Sequence, residues 1–280
     1  MKISNLAAGA EENEPMADSL HDLSPELQPR EIPQCWSLES PVGVNDANDQ
    51  GIWDSYWEGL NDEQQLFREQ SDEYFRNLSS SFRLEPRARV LDFGCGFGYV
   101  AGLLALRVGE LSLWDASANM RRRARLNVAR HQNICFLDLS DPKSLPDGLQ
   151  FELILVNSVV QYMTLEEFSV WLLQWRTMLA PGGRIVISDL IPPDYPALWD
   201  IIDLVRLSAC RGFLVRAVWQ AFSEIWRYWG VRRARPLSRI GREELSQRGK
   251  DAGLTVSYLP VNLTHFKKRL TAVFTRPEIH

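Results

Sequence analysis

Arg87–Ala101 reads RARVLDFGCGFGYVA, and this stretch decides the fold. Val90 and Leu91 open a short apolar run that reaches Asp92 and breaks into Gly94, Gly96 and Gly98. An apolar helical pattern then resumes at Val100, Ala101, Leu103 and Leu104. A buried strand running through a glycine turn into a helix N-terminus is a ready site for the polar groups of a ligand. Glycines there permit positive φ and let a ligand approach without meeting a Cβ. The plain alternative is an ordinary tight strand-to-helix turn.

Spacing separates two kinds of ligand. A dinucleotide fingerprint is Gly-x-Gly-x-x-Gly, with the pyrophosphate on the helix dipole. Here Tyr99 stands where the third glycine of that pattern belongs. Asp92, just before the glycines, would repel a pyrophosphate and suit a cation. Asp-x-Gly-x-Gly-x-Gly resembles motif I of the class I S-adenosylmethionine-dependent methyltransferases. The resemblance implies an α/β, Rossmann-like sheet of seven strands in the order 3-2-1-4-5-7-6, the last strand antiparallel. It also implies S-adenosylmethionine as cofactor, S-adenosylhomocysteine as product, and an acid near the methionine end of the cofactor.

Two further acids follow at regular intervals. Leu111–Trp114 reads as a second strand ending at Asp115, 23 residues after Asp92. A carboxylate there offers two acceptor oxygens to the hydroxyls of a ribose. Ser117 caps the next helix, whose Arg121, Arg122, Arg123 and Arg125 read as a solvated face rather than a nucleic-acid patch. Ile134–Leu137 is a third strand with Asp138 at its end. In the family an acid here binds the adenine amino group, and the next amide, that of Leu139, reads a ring nitrogen. Three acids at three successive strand ends form one rim of an open sheet, where ligands bind in such folds.

Phe151–Asn157, FELILVN, is apolar almost throughout, as a central parallel strand should be. It runs into Ser158-Val159-Val160-Gln161-Tyr162, without the Asn-Pro-Pro-Tyr type motif that would suggest methylation of a nucleic-acid base. Gln161 and Tyr162 face the cofactor or the acceptor, or simply close this loop. Thr164–Leu179 is an amphipathic helix with a Thr164/Glu167 capping box. LAPGGRIVISDL supplies a helix stop, a Pro181-Gly182-Gly183 turn and a fifth strand ending at Asp189. The family resemblance extends over residues 52–276. It implies a cofactor set of Asp92, Gly94, Cys95, Gly96 and Gly98, then Asp115, Ala116 and Met120, Asp138 and Leu139, and Asn157, Ser158 and Tyr162.

Charge and composition divide the 280 residues into an arm and a body. Residues 1–50 hold ten acidic and two basic residues, a balance of −8, with five prolines; the remaining 29 basic and 26 acidic residues leave +3. Such an arm lacks the hydrophobicity to offset its ordering entropy. Residues 51–280 then form the methyltransferase domain. It opens with Trp53, Tyr56 and Trp57 and a helix from about Asn61 to Ser79, whose aromatics touch the cofactor or anchor the helix on the sheet. Four scattered cysteines, Cys35, Cys95, Cys135 and Cys210, give neither zinc spacing nor a disulfide framework. With no apolar run of membrane-spanning length and no signal-peptide pattern, a cytoplasmic protein that binds no metal and no DNA is expected.

About fifty extra residues, Ile191–Ile240, follow the fifth strand and read as a helical lid. Trp199, Phe213, Trp219, Phe222, Trp226, Tyr228 and Trp229 interleave with Arg206, Arg211, Arg216, Arg227, Arg232, Arg233 and Arg235. The mixture suits an apolar or ring-bearing acceptor with an anionic group such as a phosphate or carboxylate, and the family resemblance implies a small-molecule, glycan or lipid-linked one. The mixture equally suits peripheral membrane contact through 199–235, or a lid core with solvated arginines. Strands near Leu254–Leu259 and Leu270–Thr275 close the chain, with Asn262, His265 and Arg269 beside their connection. The expected reaction is direct attack of an O- or N-acceptor on the sulfonium methyl, with His265, Asp189 or Tyr162 as base for an O-acceptor. His265 tethering the final hairpin is the structural alternative. A non-catalytic cofactor-binding scaffold, or a protein or RNA methyltransferase, are the functional alternatives.

Overall fold

Alternation along the strands sends their side chains to two separate cores. The computed structural model describes residues 65–139, 148–196, 198–210 and 237–277. Its strands are β1 (Arg89–Phe93), β2 (Glu110–Trp114), β3 (Ile134–Phe136), β4 (Phe151–Asn157), β5 (Leu179–Leu190), β6 (Thr255–Tyr258) and β7 (Leu270–Thr275). They form one seven-stranded sheet in the order β3-β2-β1-β4-β5-β7-β6. β7 runs antiparallel to both neighbours, and the other pairs are parallel. This is the expected order.

Three helices cover one face: α1 (Gln65–Ser81), α2 (Tyr99–Leu104) and α3 (Ala118–Val128). Tyr74, Leu78, Leu104, Ala124 and Val128 pack there on Val90, Leu113, Leu155 and Val186. α4 (Leu165–Thr177) and α6 (Arg242–Asp251) lie on the other face. There Phe168, Trp171, Trp175 and Leu245 meet Phe93, Ile154, Ile187 and Phe274. The Phe93 ring sits 4.6 Å from Trp171 and 5.0 Å from Trp175, both edge-on. Such pairs add to the burial of the rings themselves. α5 (Leu198–Cys210) follows β5.

Local signals account for most boundaries. Ser117 Oγ accepts the Met120 amide at the start of α3, and the Thr164/Glu167 box is complete at α4. β5 departs from expectation by starting at Leu179, before the Pro181-Gly182-Gly183 turn. Leu179 pairs with Phe151, and a register shift between Phe151 and Leu153 absorbs the turn within the strand. Among the described residues no helix is long and apolar enough to cross a membrane. The 1–50 arm, Trp53, Tyr56, Trp57 and the aromatic and arginine-rich positions of 211–236 lie outside the described residues.

Candidate active site

The glycine turn joins β1 to α2 at the C-terminal rim of the sheet. Gly94, Gly96 and Gly98 all have positive φ, at 85°, 52° and 76°. A Cβ on Gly94 would meet Val159 Cγ2 at 2.2 Å, so the turn is seated directly on the loop after β4. Among the described residues nothing lies within 4 Å of a Cβ position at Gly96, in contrast to Gly94. Cys95 is buried, and its thiol pKa is pushed well up by burial and by Asp115 and Asp92. Neither Cys95 nor Cys135 is in a disulfide.

Asp115 ties this turn to the second strand end. Its Oδ2 accepts the Gly96 amide and its Oδ1 the Ser117 amide, each at 2.9 Å. One carboxylate therefore holds both the glycine turn and the start of α3. Arg121 is not simply solvated as expected: its guanidinium donates to the Asp115 and Ala116 carbonyls. Arg123 and Arg125 lie over the rings of Phe97 and Phe136. Met120 is buried against Phe97, whereas Asp138 is exposed at the end of β3 and Leu139 is fully buried.

Asp92 lies within β1 rather than beyond it, and is 4 % exposed. Burial, and then the charge of Asp115, push its pKa up to about 7. Tyr74 of α1, which helical periodicity over 61–79 assigns only to an apolar stripe, is buried on the same face as Asp92. Burial first, and the charges of Asp92 and Asp189, push its phenol pKa up. Tyr74 and Ser188 hydroxyls are near one another, yet neither makes a hydrogen bond of normal geometry among the described residues. A hydroxyl in an otherwise apolar stripe was the signal available in the sequence.

On the β4–β5 side, Ser158 and Asp189 both have positive φ, 58° and 69°, and Ser158 Oγ donates to Asp189 Oδ2 at 2.8 Å. Non-glycine residues in this conformation cluster at functional sites. Asn157 carries a buried Oδ1 with no partner among the described residues. Asp189 also accepts from Arg269 Nη1 at 2.9 Å and from Thr264 Oγ1 at 3.0 Å. Its backbone amide donates to Asn262 Oδ1. Donors thus converge on both of its oxygens, an arrangement that suits an anchor better than a proton acceptor. Gln161 is buried and accepts from Arg269 Nη1 at 3.0 Å, while Tyr162 is half-buried in a short turn.

Asn262 and Arg269 converge on Asp189, and His265 lies between them in sequence on the side of α1. The His265 ring is 6 % exposed, with Nε2 3.4 Å from the Gln70 amide nitrogen and Nδ1 without a partner among the described residues. Burial holds its pKa down at about 4, against pulls upward from Asp189 and Glu73. No group of His, Cys, Asp and Glu able to hold a metal occurs among the described residues.

Residues 63–259 match the sequence profile of a methyltransferase domain family. The chain belongs to the class I methyltransferase family. Two solved methyltransferases share its fold. Magnesium protoporphyrin IX methyltransferase of Synechocystis PCC 6803, SAM-bound, is 16% identical with a TM-score of 0.53, covering 84% of this methyltransferase and 100% of that chain. The N-methyltransferase NodS of Bradyrhizobium japonicum WM9, bound to S-adenosylhomocysteine, is 19% identical with a TM-score of 0.53, covering 82% and 100%. The biotin biosynthesis bifunctional protein BioCD of Bordetella avium is 31% identical over 113 residues. That match covers 40% of this methyltransferase and 23% of BioCD.

Proposed function

We propose that this methyltransferase binds S-adenosylmethionine on the glycine rim and methylates a small-molecule, glycan or lipid-linked acceptor by direct in-line transfer. The observation that carries the cofactor assignment is Asp92. It is a buried carboxylate beside a second acid, and it has no cationic partner among the described residues. A pyrophosphate would aggravate that electrostatic strain, whereas a cationic ligand relieves it. The Gly96 surface, where a Cβ would meet no described atom, and the orphan Oδ1 of Asn157 fit the same ligand.

In this reading Gly94, Cys95, Gly96 and Gly98 shape the cradle, Asp115 and Ala116 hold the ribose, and Asp138 with the Leu139 amide hold the adenine. Met120 backs the adenosine from beneath; Asn157, Ser158 and Tyr162 close the methionine side. The bound cofactor supplies an electrophilic methyl group. The chain's contribution is to position the acceptor, exclude water and remove a proton.

His265 Nδ1 is the proposed proton acceptor for an oxygen nucleophile. For Nδ1 to carry the lone pair, Nε2 must carry the hydrogen, so Gln70 must turn its carbonyl oxygen toward it. With a pKa near 4 the ring is a weak base. It takes the proton only as methyl transfer makes the attacking oxygen acidic. Asp189 in this reading anchors the loop that bears His265. The acidic 1–50 arm is an appendage, supported by a family match that begins only at residue 63.

Calorimetric titration with S-adenosylhomocysteine, beside NADH, tests the reading. Micromolar binding of the first alone is expected. Binding of NADH, or of neither ligand, overturns it.

A further inference from the structure

Helix α5 runs with its polarity inverted. Its acids face the body: Asp200 Oδ2 takes Arg269 Nη2 at 2.8 Å, and Asp203 Oδ2 accepts the Lys267 amide at 3.0 Å. Leu207 is buried beside them. Leu198, Ile201, Ile202 and Val205 follow the three-and-four spacing of a single helix face, and are 63%, 53%, 41% and 45% exposed. A surface helix ordinarily turns its aliphatic stripe inward and its carboxylates to water. Contiguous exposed apolar surface of this kind marks an interaction site.

We propose that this outer face of α5 seats on an anionic lipid bilayer surface. Charge selects that occupant. Arg206 is exposed at the end of the stripe, and exposed Lys268 places its ammonium 3.6 Å over the Trp199 ring at the other end. Aliphatic side chains enter the acyl boundary, while tryptophan and basic residues sit among phosphate headgroups. A second copy of the chain would cover the stripe too, but with the same aliphatics and the same flanking cations, Arg206 and Lys268. The bilayer satisfies both the apolar and the cationic halves of the surface.

The seat does not depend on methyl transfer. Its consequence does rest on that reading: Arg269 links α5 to Asp189 at the rim, so seating α5 brings the rim toward a lipid-linked acceptor.

Vesicle co-sedimentation of the full chain tests the proposal, using phosphatidylcholine vesicles with and without about one-third phosphatidylglycerol. Binding to the anionic vesicles is expected, with little to the neutral ones. The Ile201→Ser/Val205→Ser double variant, and separately Leu198→Ser/Ile202→Ser, should each lower partitioning about tenfold or more, because both aliphatic insertion and charge are needed. Melting temperature and S-adenosylhomocysteine affinity should stay unchanged, so loss of the seat is distinguishable from loss of the cofactor site. Undiminished binding of both variants would reduce the contact to adsorption of a basic protein on a polyanion, and overturns the proposal. So does equal binding to neutral vesicles, no vesicle binding, or a dimer in solution that the same substitutions dissociate.

Discussion

Arg269 and Asp189 form a buried ion pair at the rim, with Nη1 2.9 Å from Oδ2 and both side chains at most 3% exposed. The same guanidinium reaches Asp200 of α5 at 2.8 Å. Burial opposes the charge on Arg269, but Asp189 and Asp200 outweigh it and hold its pKa above the ordinary value. Arg269→Met leaves the Asp189 carboxylate buried with hydroxyl and amide donors alone. The expected loss is about 3–5 kcal/mol of unfolding free energy, read by urea denaturation. Asp200→Asn, at the partly exposed end of the pair, should lose less. Equal losses for the two would mean that α5 docking, rather than the buried carboxylate, sets the stability.

Asp115→Ala removes the acceptor of both the Gly96 and the Ser117 amides. S-adenosylhomocysteine binding should disappear in calorimetry. Removing the two bonds should cost about 1–3 kcal/mol of stability, more than the little expected from the ribose role alone. Unaltered ligand affinity would end the ribose assignment.

Asp92 couples stability to function with opposite signs. Its pKa is raised from 3.8 to about 7, so the folded chain keeps a proton that the unfolded chain releases between those values. The stability this group contributes is full below pH 3.8 and is lost as pH rises through 7, a swing on the order of 4 kcal/mol at most. Asp92→Asn should therefore raise the melting temperature at pH 8 while weakening S-adenosylmethionine binding. A lower melting temperature at that pH would show that a cation already pairs with Asp92.

His265 acts on the acid side. Its folded pKa of about 4 lies below the ordinary 6.5, so the unfolded chain takes up a proton that the folded chain refuses. The stability it contributes is present above pH 6.5 and is lost as pH falls toward 4, by about 3 kcal/mol. His265→Gln should flatten the acid limb of a stability profile between those values. For an O-methyl acceptor it should also reduce kcat by about a hundredfold or more. A changed acid limb with unchanged turnover would leave His265 as a tether.

Gly94→Ala should cost about 1–3 kcal/mol, since it combines positive φ with overlap on Val159. Adding Val159→Ala removes the overlap and should restore part of the loss. No restoration would assign the whole cost to the backbone.

The motif around Gly94–Gly98, the acids at 92, 115 and 138, and the hydrophobic run of β4 carried the fold in the sequence by themselves. Each is a local pattern: a glycine turn, a strand end, a buried strand. The capping of α3 and α4 followed from such patterns, while the sheet order came from the family resemblance that the motifs carry. What only the tertiary structure decided is pairing between elements far apart in the chain. Asp189 read as a candidate base, but Ser158, Thr264 and Arg269 arrive from other segments to occupy it. Arg121 read as solvated, but the turn of α3 aims it back at the Asp115 carbonyl. The helix over 61–79 is legible in the sequence, but only the packing of α1 brings Tyr74 within the field of Asp92 and Gln70 beside His265. Helical periodicity places residues on faces. Which face meets the body is a matter of long-range packing, so the inward acids and outward aliphatics of α5 became legible only once Arg269 was seen to hold Asp200.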